Sequence, residues 1–268
     1  MRPIKLVSAT QVQKTMFWTA TYLGRSLRRF PESLRPPLQV ACNNTGPAAR
    51  GLSEVFNQAL DACDPGTDLV FLHDDVYLND WFLTLHVAEA LRHFDIVGLA
   101  GSANPDLSQP SWGLCFDAEL NPTGWQPELR KSGAVNHFDY TCPDVTVYGP
   151  TPMPCMLLDG LFLAVRTQVV KEAGLRFDER FRFHCYDLDF CRSALQRRLR
   201  IGTWPIAVTH DSGGAFGSAS FKEGARAYLD KWRAVEAAAP VTHPVESGTT
   251  LRSPVSEPEP ALTEASSA

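Results

Sequence analysis

The chain is 268 residues long and 44% hydrophobic, with 25 Lys and Arg against 30 Asp and Glu and a formal charge of −5. That length can bury a sizeable core in one large α/β domain or in two small ones. The mildly acidic balance speaks against nonspecific nucleic-acid binding, which needs a basic footprint.

The seven cysteines include no C-x-x-C pair. An odd set without close pairs fits reduced, partly buried thiols in a cytoplasmic protein better than a disulfide framework or a structural zinc site. The apolar run at 4–10 is too short for a secretory h-region, and the run at 153–165 is broken by Asp159 and too short to span a bilayer. No integral membrane segment is therefore expected.

Taken in order, residues 4–10 and 38–42 read as strands. Residues 52–63 form an amphipathic helix with Leu52, Val55, Phe56, Ala59, Leu60 and Cys63 on one face, ended by Pro65-Gly66. The run DLVFLH at 68–73 is a buried strand. Asp80 caps a helix through about residue 94, and 96–100 is another short strand. Residues 101–154, rich in Pro, Gly, Asn and Trp, should form loops and hairpins of a binding surface. A strand at 156–165, a helix at 167–173 ended by Gly174, a helix over about 187–199, a strand at 203–209 and a helix over about 220–237 follow. The β-α-β-α-β rhythm predicts a parallel sheet with helices on both faces. From Pro240 onward the chain has five prolines, many Ser, Thr and Glu, and no aromatic residue. We expect one domain over 1–239 and a disordered tail over 240–268.

Candidate chemistry sits at strand ends, where open α/β sheets bind ligands. The run LVFLHDDVYL ends a strand in His73, Asp74 and Asp75. Adjacent carboxylates there either hold a hard divalent cation or cap and hydrate a turn. In FDERFRFHCYDLDFC, Asp187 and Asp189 open a helix. Two residues apart they point to nearly opposite sides, so only one faces a site, and Asp187 at the helix mouth is the candidate. Both are otherwise ordinary N-terminal helix acids. His210 ends a strand before the Gly-rich loop HDSGGAFG and is either a metal ligand or a satisfied histidine. Asp159 in an apolar strand needs a partner or a ligand. Trp112 and Trp125 fit sugar contact or plain core packing.

In joint order, GLSEVFNQAL at 51–60, LVFLHDDV at 69–76, IVGLAGS at 96–102, LLDGLFLAVR at 157–166, FDERFRFHCYDLDFC at 177–191 and His210 resemble the family 2 GT-A glycosyltransferases. The likeness is greatest to the small subgroup related to a streptomycin-biosynthesis protein. The resemblance implies a Rossmann-like GT-A fold: a mixed, mostly parallel sheet flanked by helices in a single domain. It implies non-processive, inverting transfer of a hexosyl or related sugar from a nucleotide-sugar donor to a glycan or other hydroxyl acceptor, with Mn2+ or Mg2+. By position, Asp75, His210 and Asp74 would serve the metal and Asp187 would be the catalytic base. Thr10, Asn44, Asn57 and Asp74 would lie near the nucleotide, and Trp112, Asp159 and Gly160 near the acceptor. The chain departs from the family pattern at His73, where D-x-D has its first Asp, at Tyr186, where Glu precedes the base, and at Cys42-Asn43-Asn44. Two alternatives remain: a binding module that keeps the fold without turnover, and a nucleotidyltransferase. The second lacks the basic Gly-rich loop it would want after Thr10. No P-loop, G-x-S-x-G or G-x-G-x-x-G is present.

Overall fold

The computed structural model describes residues 2–138, 144–212 and 214–238; the expected tail at 240–268 lies outside them. The protein is α/β, with mixed sheets flanked by helices around one continuous core. The central sheet runs, in spatial order, Met153–Pro154, Ile201–Thr203, Ile96–Gly98, Phe162–Val165, Asp68–Leu72, Ile4–Ala9 and Leu38–Ala41. Asp68–Leu72 is buried along its whole length, which explains its unbroken apolar run. Ile4–Ala9 pairs parallel with both of its neighbours, and Ile201–Thr203 pairs parallel with Ile96–Gly98. Phe162–Val165 runs antiparallel to the strands on either side of it, and Met153–Pro154 closes the far edge antiparallel. Antiparallel pairing is therefore as frequent as parallel pairing in this sheet, more than a simple βαβ rhythm predicts.

A second sheet runs Leu157–Leu158, Ala100–Ser102, Lys131–His137, Val208–His210 and Val76–Leu78, with Val145–Gly149 added to Lys131–His137. Several chain segments pass from one sheet to the other. Asp68–Leu72 continues through 73–75 into Val76–Leu78, Ile96–Gly98 continues through Leu99 into Ala100–Ser102, and Leu157–Leu158 continues through 159–161 into Phe162–Val165. Each single strand expected at 96–100 and 156–165 is thus two short strands with a joint between them. The sheets close tightly at these joints: at Gly133 (φ +100°) a Cβ would lie 1.8 Å from the Leu99 carbonyl oxygen, so only glycine fits.

The helices Leu52–Ala62, Thr167–Glu172, Tyr186–Gln196 and Ala219–Ala238 occupy the expected places. The helix Leu83–His93 does too, but Asp80 does not cap it; Asp80 accepts from Phe82 N and binds His86 in the turn before it. The helices Phe17–Ala20 and Tyr22–Arg29 and the strand Val76–Leu78 were not foreseen. Residues 101–154 contain the hairpin Leu114–Phe116 with Pro122–Trp125, as their turn-rich composition suggested. Six cysteines among the described residues are free thiols. No helix among the described residues is long and apolar enough to cross a membrane.

An aromatic cluster joins the central sheet to the helices behind the strand ends. Phe71 packs 4.7 Å from Phe56 and 5.2 Å from Phe177, whose ring stacks on Phe190 at 3.9 Å. Phe71 has no solvent exposure. Phe71→Ala should therefore cost about 3–5 kcal/mol through lost burial and the cavity left behind. Urea unfolding checks this; a loss under about 1 kcal/mol would show that the cluster is not part of the cooperative core.

Candidate active site

The joints between the two sheets place the polar residues. Val76, one residue beyond Asp75, pairs with His210 across antiparallel strands, and Asp211 N donates to the Asp75 carbonyl at 3.0 Å. His73 N donates to Leu161 O at 3.1 Å, which brings the 159–161 joint against the 73–75 joint. His73, Asp75 and His210 can each offer one ligand atom, and these atoms lie within 4.8 Å of one another. His210 Nε2 is 3.4 Å and His73 Nδ1 3.9 Å from Asp75 Oδ1. The closer contact is an ion-pair distance but not an aligned hydrogen bond, so Asp75 Oδ1 and His210 Nε2 are buried atoms without a hydrogen-bond partner. Such atoms are costly unless a further group binds them.

Tyr186 sets the orientation of His73. Its phenol donates to Gly160 O at 2.8 Å and lies 2.8 Å from His73 Nε2. Because the phenol proton is committed to the carbonyl, Nε2 carries the imidazole proton and donates it to the phenol oxygen. Nδ1 is left as a lone pair on the side of Asp75. Burial holds His73 below the usual histidine range, against the pull of Asp75, and so keeps it neutral. At His210, burial also opposes the charge, but the Asp75 carboxylate 3.4 Å away prevails and the imidazole is raised. Burial likewise pushes the Asp75 carboxyl upward, and His210 beside it more than reverses this.

Gly160 is gripped from both ends. Its carbonyl takes the Tyr186 proton and its N–H donates to Asp187 Oδ2 at 2.8 Å. A Cβ there would lie 2.5 Å from the Tyr186 oxygen, so the close approach requires glycine. Asp159, on the same joint, accepts from Trp112 Nε1 at 2.9 Å and from Leu161 N at 3.0 Å. Burial, reinforced by the Asp159 charge, raises the Asp187 carboxyl to about 7, against the backbone N–H groups that favour its ionised form. Cys185, just before this helix, sits at φ +60°, a strained conformation for a non-glycine residue. His73, Asp75, Trp112, Asp159, Gly160, Asp187 and His210 line one cleft of about 280 Å³.

Asp189 points the other way, as the helical spacing required. It is fully buried, accepts from Trp232 Nε1 at 3.0 Å and pairs with Lys231 at 2.6 Å, which anchors the last helix. Asp74 is not gathered with the trio, and His73 takes the place expected for it. Burial raises the Asp74 carboxyl and the Thr10 hydroxyl beside it offsets this only in part. Thr10, Asn44 and Asp74 do meet at the ends of adjacent strands, with Asn44 N donating to Thr10 O at 2.9 Å. The side chains of Thr10 and Asn44 hold local turns: Thr10 Oγ1 accepts from Val12 N, and Asn44 clasps the Arg50 backbone at 2.8 Å in both directions. Asn57 is a correction. It is buried in the helix Leu52–Ala62, with its amide bonded to Phe177 N, Phe177 O and Glu179, so nothing of it is turned to the cleft. Sequence reasoning flagged Tyr186 only as a departure from the family pattern beside Asp187 and missed its role in holding His73 and Gly160.

No family model matches the chain, and no curated protein matches it in sequence. Among solved structures it is similar to S. aureus TarS residues 1–349 at 15% identity and a TM-score of 0.42, covering 78% of this chain and 60% of that one. The complex of the same protein with UDP gives 14% identity and a TM-score of 0.43 over the same shares. A 4-diphosphocytidyl-2C-methyl-D-erythritol synthase from Anaerococcus prevotii gives 11% identity and a TM-score of 0.37, covering 85% of this chain and 99% of that one. The chain thus spans 60% of the length of the TarS structure. Likenesses this weak carry no chemistry to the present chain, whose site is read from its own side chains.

Asn57→Ala should leave the Phe177 backbone groups buried and unpaired, at about 1–3 kcal/mol. Thermal unfolding would register the loss, and unchanged stability would return Asn57 to the list of ligand-facing candidates.

Proposed function

We propose that the chain is a metal-dependent GT-A glycosyltransferase. It transfers a hexosyl or related sugar from a nucleotide-diphosphate sugar to a hydroxyl acceptor, with inversion and one sugar at a time. The observation that carries this reading is the meeting of His73, Asp75 and His210 in the same cleft as Asp187. The trio suits a divalent cation: one carboxylate, one imidazole with its lone pair fixed toward the group, and two buried atoms without hydrogen-bond partners. Two nitrogens among three ligands favour Mn2+ over Mg2+, which takes oxygen ligands. A cation held there would neutralise the charge that gathers on a departing nucleoside diphosphate.

The chain's own groups supply the rest. Asp74 and the strand ends at Thr10 and Asn44 lie where an α/β sheet receives a nucleoside. Asp187, with Oδ2 fixed by Gly160 N–H, would take the proton from the attacking hydroxyl. A carboxylate whose proton affinity has been raised toward neutrality is matched to that task. Attack from the face opposite the leaving group gives inversion without a covalent intermediate, by analogy with single-displacement glycoside hydrolysis. Trp112, Asp159 and Gly160 would border the acceptor.

Mn2+ should raise the melting temperature of the wild type and release protons as it displaces the one that the Asp75 charge favours on His210, so the shift should shrink as pH is lowered. Asp75→Ala and His210→Ala should each abolish the shift. A wild type indifferent to Mn2+ across pH 6–9 would remove the metal from the proposal. Hydrolysis of UDP-, GDP- and dTDP-sugars, followed by nucleotide release, then tests the reaction. Asp187 must be ionised to act, so with its carboxyl at about 7 the rate should climb as pH rises through about 7 and level above it. Asp187→Asn should lower kcat about 10²–10⁴-fold and flatten that limb. Metal-dependent nucleotide binding with no turnover would leave a binding module, and pyrophosphate release from a nucleoside triphosphate would move the chemistry to phosphorus.

A further inference from the structure

The cleft has a second lobe of about 380 Å³ that shares Trp112, Asp159 and His210 with the first but is not lined by Asp187. The size is within the range of small-ligand sites, about 300–1,000 Å³. Its floor is a triangle of rings: Trp112 to Tyr148 is 5.0 Å at 90°, Trp112 to Trp125 is 5.3 Å, and Trp125 to Tyr148 is 5.4 Å. Trp125 is 48% exposed, and Phe138 and Phe216 are exposed along the same lobe. Exposed aromatic surface gathered at one cleft marks a binding site more often than chance placement does.

The platform is built rather than incidental. The Trp112 indole N–H is fixed by Asp159 at 2.9 Å. The Trp125 indole lies on the backbone of Gly113, where a Cβ would come within 2.7 Å of the ring, and Lys131 Nζ stands 5.6 Å from its centroid. Tyr148 is held through its hydroxyl, 3.2 Å from His137 Nε2. An exposed tryptophan held in this way presents a rigid apolar face at small entropic cost to a ligand.

The chemistry of the walls selects the ligand. Aromatic faces bordered by Thr146, His137, Ser212 and Asp159 suit a molecule with an apolar C–H face and a rim of hydroxyls. Asp159, the one carboxylate among the described residues lining this lobe, opposes an anion. We infer that this lobe is an acceptor subsite for an uncharged pyranoside, stacked on Trp125 and directed toward Asp187. The inference rests on the sugar-transfer reading and names its acceptor class.

Saturation-transfer NMR and tryptophan fluorescence test it on the full chain. The probes are methyl glucoside, galactoside and mannoside, neutral gluco-tetrasaccharides, methyl glucuronide and hexanol; Mn2+ and UDP binding are measured on the same sample. At least one neutral glycoside should bind saturably, with its ring C–H protons receiving the strongest saturation. Trp125→Ala should weaken that binding about tenfold or more, and Trp125→Phe should restore part of it. UDP binding without any neutral glycoside binding would overturn the subsite while leaving the transfer reading in place. Equal or tighter binding of hexanol or the glucuronide would also overturn it. Glycoside binding without UDP binding in Mn2+ would overturn the transfer reading, and with it the role of acceptor.

Discussion

One hydroxyl group joins the parts of this site. The Tyr186 phenol bonds His73 on one segment and Gly160 on another, and its own helix carries Asp187 on the next residue. Because a phenol has a single proton to give, its donation to the Gly160 carbonyl fixes the direction of every other bond in the chain. His73 must donate through Nε2, and its free lone pair must face Asp75. Asp187 and the His73, Asp75 and His210 group are thereby positioned by the same residue. The bond also survives competition from water, since Tyr186 is buried against Phe56 and Phe177.

The site stands where strands leave one sheet for another. A continuous strand satisfies its backbone within its ladder and alternates its side chains regularly. At the joints 73–75 and 159–161 that regularity is broken, so polar side chains can turn into a common space without disrupting either sheet. The broken backbone finds local partners: His73 N bonds Leu161 O, Asp159 N bonds Ala100 O, and Gly160 N bonds Asp187. Backbone strain stands at the edge of this region, at the left-handed Cys185 that turns the chain into the Tyr186–Gln196 helix. Such positions persist only where the surrounding packing over-determines them, and the stacked Phe177–Phe190 pair supplies that packing here.

The cleft is electrostatically lopsided. Asp75, Asp159 and Asp187 face it, while Lys231, Arg192 and Arg200 are engaged elsewhere with Asp189, Glu236 and Asp95. Like charges close together raise one another's proton affinity, which is the second cause of the raised Asp187 carboxyl after burial. The same acidity gives a cation a reason to bind and makes an anionic ligand expensive unless a cation accompanies it. A diphosphate with a divalent ion and a neutral hydroxyl compound meet both conditions.

Local pattern was enough for the α/β class, for the order of the main helices and strands, and for the choice of Asp187 over Asp189. The last followed from helical spacing, which sends residues two apart to nearly opposite sides, together with the place of Asp187 at the helix mouth. Burial of 68–72 was legible as an unbroken apolar run, and the hairpins of 101–154 as turn-rich composition. The helices at Phe17–Ala20 and Tyr22–Arg29 were not, because the first is a single turn and the second carries its apolar face on a short, Arg-rich stretch. The reversed strand Phe162–Val165 and the splitting of 96–102 and 157–165 between two sheets leave no periodic trace, since the residues around the joints other than Asp159 are apolar or small. Asn57 was placed near a nucleotide only by the family resemblance; the packing of 177–179 against its helix shows its amide engaged there. Sequence thus determined which residues could do chemistry at strand ends and helix mouths, because those depend on neighbours a few positions away. Tertiary structure decided that His73 rather than Asp74 joins Asp75 and His210, because that depends on the antiparallel pairing of Val76 with His210 and on a phenol contributed from 113 residues further along the chain.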